Sequence, residues 1–269
     1  MTSVRAGTAA NRGPRDVDLH ASLTRPEADA RLIAAQRRLL QLRLCNAGLL
    51  DPEVLGPPVI VVVEGWDASG KGGSIRRLAW SFDPRHVRVT STVAPTERER
   101  RHHFLWRFAP LIPGWGGMTI FDRSWYGRLL VERVERFIDD VEAARSIRHI
   151  VAFERGLVEE GAVVIKLWLE ISDGEQLRRF EARADDPLKR WKLTEDDWRN
   201  RERRAAYEPM ADEMLASTST EDAPWDVIAA EHKRFARVAV LETVAARMAA
   251  GMRRSGVAPP APQVVDEDD

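Results

Sequence analysis

Between residues 59 and 230 the chain alternates short, nearly continuous apolar runs with longer stretches whose apolar positions recur at helical spacing. The runs are VIVVVE (59–64), VRVTSTV (87–93), MTIFD (118–122) and VVIKLWLEI (163–171), with a weaker fifth, WDVIAA (225–230). The first, third and fourth are almost unbroken by polar residues, as strands are when both faces are covered. Helical patterns separate the runs at Lys71–Trp80, Glu97–Phe108, Val141–Glu159, Gln176–Arg183 and Lys233–Ala249. Alternation of this kind predicts an α/β fold, a parallel sheet with helices on both faces. Ahead of the first run, Arg25–Leu44 places Leu32, Ala35, Leu39 and Leu42 along one helical stripe, which Ile33 and Leu40 widen. Gly56-Pro57-Pro58 then stops regular structure.

One stretch breaks the alternation. Arg178 to Thr218 holds no strand pattern and is dense in Arg, Lys, Asp and Glu; Thr194 followed by Asp197 predicts a capping box at a helix start. A helical subdomain standing off the sheet, over about 176–219, is the expectation. The two ends, 1–24 and 250–269, are rich in Pro, Gly, Ala and charge and predict disordered tails, leaving 25–249 as one domain.

Composition adds limits more than direction. Hydrophobic residues make up 44% of the 269, enough for a sizeable core, and charged residues 31% with a net charge of −1, so any anion site must come from local clustering. The single cysteine, Cys45, excludes an internal disulfide, suits a reducing compartment and predicts a buried, inert thiol. The first twenty residues lack an apolar signal core, and no apolar run approaches the roughly 20 residues of a membrane span. A soluble, cytoplasmic protein is expected.

The candidate chemistry starts after the first strand. Gly65-Trp66-Asp67-Ala68-Ser69-Gly70-Lys71-Gly72-Gly73 fits G-x-x-x-x-G-K between a buried strand and a helix, the context a phosphate-binding loop requires. The glycines let backbone N–H groups at Gly65, Ala68, Ser69, Gly70, Lys71, Gly72 and Gly73 turn toward phosphate oxygens. The helix start and Lys71 add positive charge. Position 72 is glycine where ATPases and GTPases use a Ser or Thr hydroxyl on Mg²⁺. Asp67, inside the loop, is the substitute metal ligand; its other role would be to cap a backbone turn.

Asp122 ends the third strand, at the edge of an open α/β sheet where ligands bind, and suits either a Mg²⁺ ligand or the cap of a helix starting near Ser124. Arg123 follows and can stabilise charge on a transferring phosphoryl group. Arg128 and Arg133 fit a solvated helix face or pairing with Glu132 or Glu135 equally well. Adjacent His102 and His103 cannot share a helical face, which argues against a metal pair. The cations of 189–204 suit either a solvated, internally paired helix or a lid over a polyanion.

Five segments together, EGWDASGKGG (64–73), APTERERRHHFLWRF (94–108), FDRSWYGRLLVERVE (121–135), DPLKRWKLTEDDW (186–198) and STSTEDAPWDVI (217–228), resemble the family 2 polyphosphate kinases, in the same order and over about residues 30 to 245. The resemblance implies a three-layer P-loop NTPase fold of the thymidylate-kinase-like kind with a helical lid. It implies phosphoryl transfer between inorganic polyphosphate and a purine nucleotide, AMP or ADP, with Mg²⁺, in a homo-oligomer, and no nucleic-acid or membrane partner. Carried over by motif, the catalytic set is Asp67, Lys71, Asp122, Arg123 and a lid arginine at Arg183, with Arg178 and Arg179 as competitors; Asp67 and Asp122 would hold the metal. Gly127, where many members have Asn, bears on the acceptor, and the SWYGR form is nearer the AMP phosphotransferases.

Rival expectations are an ATP-dependent kinase, which Gly72 disfavours, and a non-catalytic polyanion-binding protein, for which two loop aspartates would be a liability. A GTP-driven switch would need D-x-x-G after the third strand, where Asp122-Arg123-Ser124-Trp125 stands instead.

Overall fold

A computed structural model describes residues 17–51, 54–83 and 86–262. Of the tails expected at the two ends, residues 1–16 and 263–269 lie outside it. The described chain runs α1 (Arg25–Asn46), β1 (Val59–Gly65), α2 (Lys71–Trp80), β2 (Val87–Ser91), α3 (Glu97–Arg100), β3 (Met118–Asp122), α4 (Val131–Val134), α5 (Asp140–Glu159), β4 (Val163–Glu170), α6 (Asp173–Ala184), α7 (Glu195–Glu202), α8 (Arg204–Thr218), β5 (Trp225–Ala229) and α9 (Lys233–Arg254). All five strands are parallel, in the order β2-β3-β1-β4-β5. Helices α1, α2 and α9 pack on one face, and α5, joined by α8, on the other.

The inner strands form where the apolar runs predict them, because β1 and β4 are buried along nearly their whole length and only a continuous apolar surface tolerates that. The charge that enters the middle of β4 is paired. Lys166, in the middle of β4 and fully buried, donates to Glu154 Oε2 of α5 at 2.7 Å and to the Thr218 carbonyl at 2.6 Å. Glu154 Oε1 in turn accepts from Trp125 Nε1 and the Tyr126 hydroxyl, at 2.9 and 2.7 Å. Side-chain caps begin several helices: Thr24 with Glu27, Asp139 with Glu142 and, as expected, Thr194 with Asp197 each close a capping box.

Five expectations need correction. Cys45 is half-buried rather than buried. Glu97–Phe108 is not one helix: α3 is a single turn with no buried residue, and a 3-10 turn at Trp106–Leu111 follows, because four successive charges offer the core no apolar stripe. The α1 stripe is narrower than predicted, with Ala35, Leu39 and Leu42 buried but Ile33 and Leu40 exposed. The C-terminal tail does not begin at 250; α9 continues to Arg254 with Gly251 and Met252 buried. Nor does the whole of 176–219 stand off the sheet. The part around α7 buries nothing, whereas α8 packs Tyr207, Ala211, Met214 and Leu215 into the domain.

Strand register sets up the site. Val63 of β1 lies beside Asp122 of β3, and Gly65 beside Leu169 of β4, so three strand ends meet at one point. Gly65 is held at φ 136°, and a Cβ there would lie 2.5 Å from the Leu169 carbonyl oxygen. Gly65→Ala is therefore expected to destabilise the protein by about 2–4 kcal/mol, read from urea denaturation.

Candidate active site

The turn from β1 into α2 is shaped by backbone that side chains rarely adopt. Gly70 sits at φ 109° and Ala68, a non-glycine, at φ 63°. The Lys71 ammonium folds back over this loop, donating to the carbonyls of Gly65 at 2.7 Å and Trp66 at 2.9 Å. Two of its three N–H groups are thus committed, leaving one for a phosphate oxygen. Ser69 Oγ is buried without a hydrogen-bond partner among the described residues, an orphaned polar atom of the kind a bound anion satisfies. Gly72 has open space where a Cβ would stand, so geometry does not demand glycine there.

Asp67 is the hub. Arg123 donates to its Oδ1 at 2.6 Å and Asn200, from α7, to its Oδ2 at 3.0 Å. Gln176 of α6 donates to its backbone carbonyl at 3.0 Å. Burial alone would raise the Asp67 carboxyl; Lys71 and Arg123, helped by Asn200 and Arg183, reverse this and hold it below its ordinary value. Arg123 is itself strained at φ 63°, and its carbonyl accepts from the Thr92 hydroxyl at 2.8 Å. Asp67 pushes the Arg123 guanidinium up, so it stays charged.

Asp122 lies close enough to Lys71 and Arg123 to act on both. It does not cap the following turn, because Ser124 does that by accepting from the Tyr126 N–H. Beneath them Glu64, fully buried, accepts from the Ser124 N–H and hydroxyl at 2.8 and 2.9 Å, and burial raises its carboxyl. Asp67, Lys71, Asp122 and Arg123 therefore converge. Among the described residues no group of three or more His, Cys, Asp or Glu side chains is placed to hold a metal ion.

The three arginines competing for the lid role separate clearly. Arg183 is near enough to Asp67 to lower its carboxyl. Arg179 is buried and buttresses the loop from behind, donating to the Ala68 and Ser69 carbonyls at 2.8 and 2.9 Å and to those of Ala230 and Glu231. Arg178 pairs with Glu175 on the surface. Farther out, Arg128 pairs with Glu132, Arg133 with Asp140 and Glu213, and His103 contacts His149 of α5 at 2.9 Å while His102 stacks on Trp106. Sequence reasoning missed Asn200 and Gln176, since nothing local marks an amide that meets a loop more than a hundred residues away.

Glu170 ends β4 under the loop, accepting from Trp66 Nε1 at 2.8 and 2.9 Å and from Trp168 Nε1 at 2.6 Å. Burial, opposed by those indoles and by Arg204, pushes its carboxyl from the ordinary 4.5 up to about 7. The folded protein then holds a proton that the unfolded chain has released, so stability falls as pH rises between those values, by on the order of 3 kcal/mol. Glu170→Gln cannot ionise; subtracting its urea-denaturation profile from that of the wild type should isolate this loss, and identical profiles would remove it.

A phosphate loop between a buried strand and a helix, on a parallel sheet with a helical insertion at its mouth, defines a P-loop NTPase-type α/β domain. A family model described as "Polyphosphate kinase 2 (PPK2)" matches residues 25–255, and the chain belongs to that family. It is 46% identical over 228 residues to a polyphosphate:AMP phosphotransferase of Pseudomonas syringae pv. tomato, covering 85% of this chain and 45% of that one. It is 41% identical over 183 residues to an ADP-polyphosphate phosphotransferase of Rhizobium meliloti, covering 68% and 64% respectively. The crystal structure of polyphosphate kinase 2 from Arthrobacter aurescens TC1 superposes with a TM-score of 0.82 at 30% identity, over 95% of this chain and 94% of that one. The chain thus spans about half the length of the polyphosphate:AMP phosphotransferases it matches.

Proposed function

We propose that this chain is an enzyme that transfers a phosphoryl group between inorganic polyphosphate and a purine nucleotide, with AMP as the favoured acceptor. The observation that supports the donor is a groove of about 330 Å³ at the N-terminal end of α9, lined by Leu23, His232 and the charged Glu175, Arg178, Glu231, Lys233, Arg234 and Arg237. Arg237 reaches the first turn of α2: a Cβ on Gly73 would lie 3.9 Å from its guanidinium. Burial and crowding by neighbouring guanidinium groups push Lys233 and Arg237 down, a cost that a polyanion lying in the groove would relieve. The match to a polyphosphate:AMP phosphotransferase supports the acceptor.

In this scheme a terminal phosphate of the chain sits on the loop amides and Lys71, and an oxygen of the acceptor phosphate attacks its phosphorus in line. The P–O–P bond breaks and the shortened chain leaves with the electron pair. Lys71, Arg123 and Arg183 neutralise charge on the transferring group, and positioning plus electrostatics is nearly the whole task in such reactions. Asp67 and Asp122 would hold Mg²⁺, which would supply positive charge against the phosphates; one or two carboxylates with substrate and water are what that ion ordinarily takes. The salt bridge to Arg123 and the amide of Asn200 keep Asp67 ionised and aimed. A homo-oligomer and a cytoplasmic location belong to the same proposal. An edge strand with exposed Val89 and a free Cys45 support them, and light scattering tests the first. Among the described residues no helix is long and apolar enough to cross a membrane.

The test is incubation with long-chain polyphosphate, Mg²⁺ and either AMP or ADP, beside a parallel with ATP as donor, followed by nucleotide analysis. Conversion of AMP to ADP at the expense of polyphosphate is expected. Transfer from ATP alone would replace the proposal with an ATP-dependent kinase, and salt-sensitive binding of polyphosphate without turnover would make the chain a binding protein.

A further inference from the structure

Arg204, the first residue of α8, is buried and reaches back to the phosphate loop rather than out to solvent. Its guanidinium lies over the Trp66 ring, 4.3 Å from the centroid. That ring is fixed on its other sides by the Glu170 carboxylate and by an edge contact with Trp168, centroids 5.4 Å apart. Arg204 also donates to the Ile171 carbonyl at 2.7 Å and to Gln176 Oε1 at 3.2 Å, and it stands 3.6 Å from Glu170. Glu208, one turn along α8, accepts from Nε–H at 3.3 Å.

The Gln176 contacts are directional, and its oxygen accepts from Arg201 at 3.3 Å as well as from Arg204. With its oxygen toward Arg204, the amide must present its NH₂ to the Asp67 carbonyl, as it does at 3.0 Å. Asn200, which holds the Asp67 carboxylate, lies one helical turn before Arg204 in the sequence. The side chain of residue 66 and the backbone of residue 67 are thus both fixed from the point where the helical insertion rejoins the domain.

We infer that Arg204 is a positioning residue for phosphoryl transfer: through Trp66 and Gln176 it fixes the backbone that aims Asp67, coupling the root of the insertion to the phosphate loop. The inference rests on the function proposed above and extends it to a residue that touches no substrate. Substrate grip comes from loop amides and Lys71, which Arg204 does not contact. Its loss should therefore act on the transferring state and leave donor binding nearly intact.

The experiment compares wild type, Arg204→Lys, Arg204→Met, Gln176→Leu and the double variant Arg204→Met/Gln176→Leu in steady-state assays with polyphosphate, Mg²⁺ and AMP. Rates are normalised to the folded fraction from circular dichroism. Arg204→Met is expected to lower kcat roughly 10–100-fold with KM for polyphosphate within about threefold. Arg204→Lys, which restores charge without the planar fork, should recover part of the loss. Gln176→Leu cuts the link to Asp67 while leaving Arg204 on Trp66, so it keeps the question open should Arg204→Met fold poorly. It should lower kcat in the same direction, and the double variant should fall short of the product of the single effects. Unchanged kcat in Gln176→Leu, or losses that merely follow the unfolded fraction, would overturn the inference. A wild type that moves no phosphate from polyphosphate would instead overturn the function on which it rests.

Discussion

Asp67→Asn is expected to lower kcat for transfer by roughly 10³-fold, about 4 kcal/mol of barrier, while the protein keeps its fold. The carboxylate has two acceptor oxygens, and both are in use: Arg123 holds one and Asn200 the other. An amide of the same shape offers one acceptor and turns an NH₂ toward the second donor, so either the salt bridge or the contact with α7 is lost. The negative charge disappears as well, and with it half of the proposed metal site. The surroundings hold Asp67 ionised well into the acid range, so no pH near neutrality would mimic the variant. The measurement is kcat beside a urea unfolding curve. Turnover within a few-fold of wild type in a folded variant would remove Asp67 from the scheme.

Lys166→Met should unfold the protein more readily by about 3–5 kcal/mol, since it leaves Glu154 buried without its cation. The side chains of Lys166 and Glu154 are essentially unexposed, and the carboxylate also anchors Trp125 and Tyr126, which directly follow the Asp122-Arg123-Ser124 turn. Pairing the change with Glu154→Gln should recover a sizeable part of the loss, because a neutral amide still accepts from an indole or phenol and no charge is stranded. Equilibrium urea denaturation of the two single variants and the double decides. A Lys166→Met variant within 1 kcal/mol of wild type would mean that the pair does not hold the core together.

The fold was legible to the extent that it rests on contiguous pattern. Val59 to Val63 is apolar without a break because β1 is covered on both faces, and the G-x-x-x-x-G-K run after it leaves few alternatives for that turn. That Asp67, Lys71, Asp122 and Arg123 come together could be read in advance, since each sits inside a motif or at a strand end. What escaped depends on distance along the chain. Lys166 interrupts an apolar strand, and nothing near it announces that Glu154 will meet it. Gly251 resembles a helix breaker in GMRRSG, yet it lies where a Cβ would come within 2.1 Å of the Val163 side chain, so the missing side chain lets α9 press against β4. Asn200 and Gln176 reach Asp67 only because α6 and α7 fold back over the loop, a consequence of tertiary packing that local propensity does not encode.

Ala68, next to Asp67 in the chain, and Arg123, bonded to its carboxylate, are two non-glycine residues in left-handed backbone. For anyone building combinatorial libraries around this loop, that removes valine, isoleucine and threonine from both positions before any chemistry is weighed, since a branched β-carbon clashes with its own peptide there. Asparagine and glycine remain the tolerated backbone choices, but only arginine at 123 also keeps the salt bridge, so both turns are poor places for diversity.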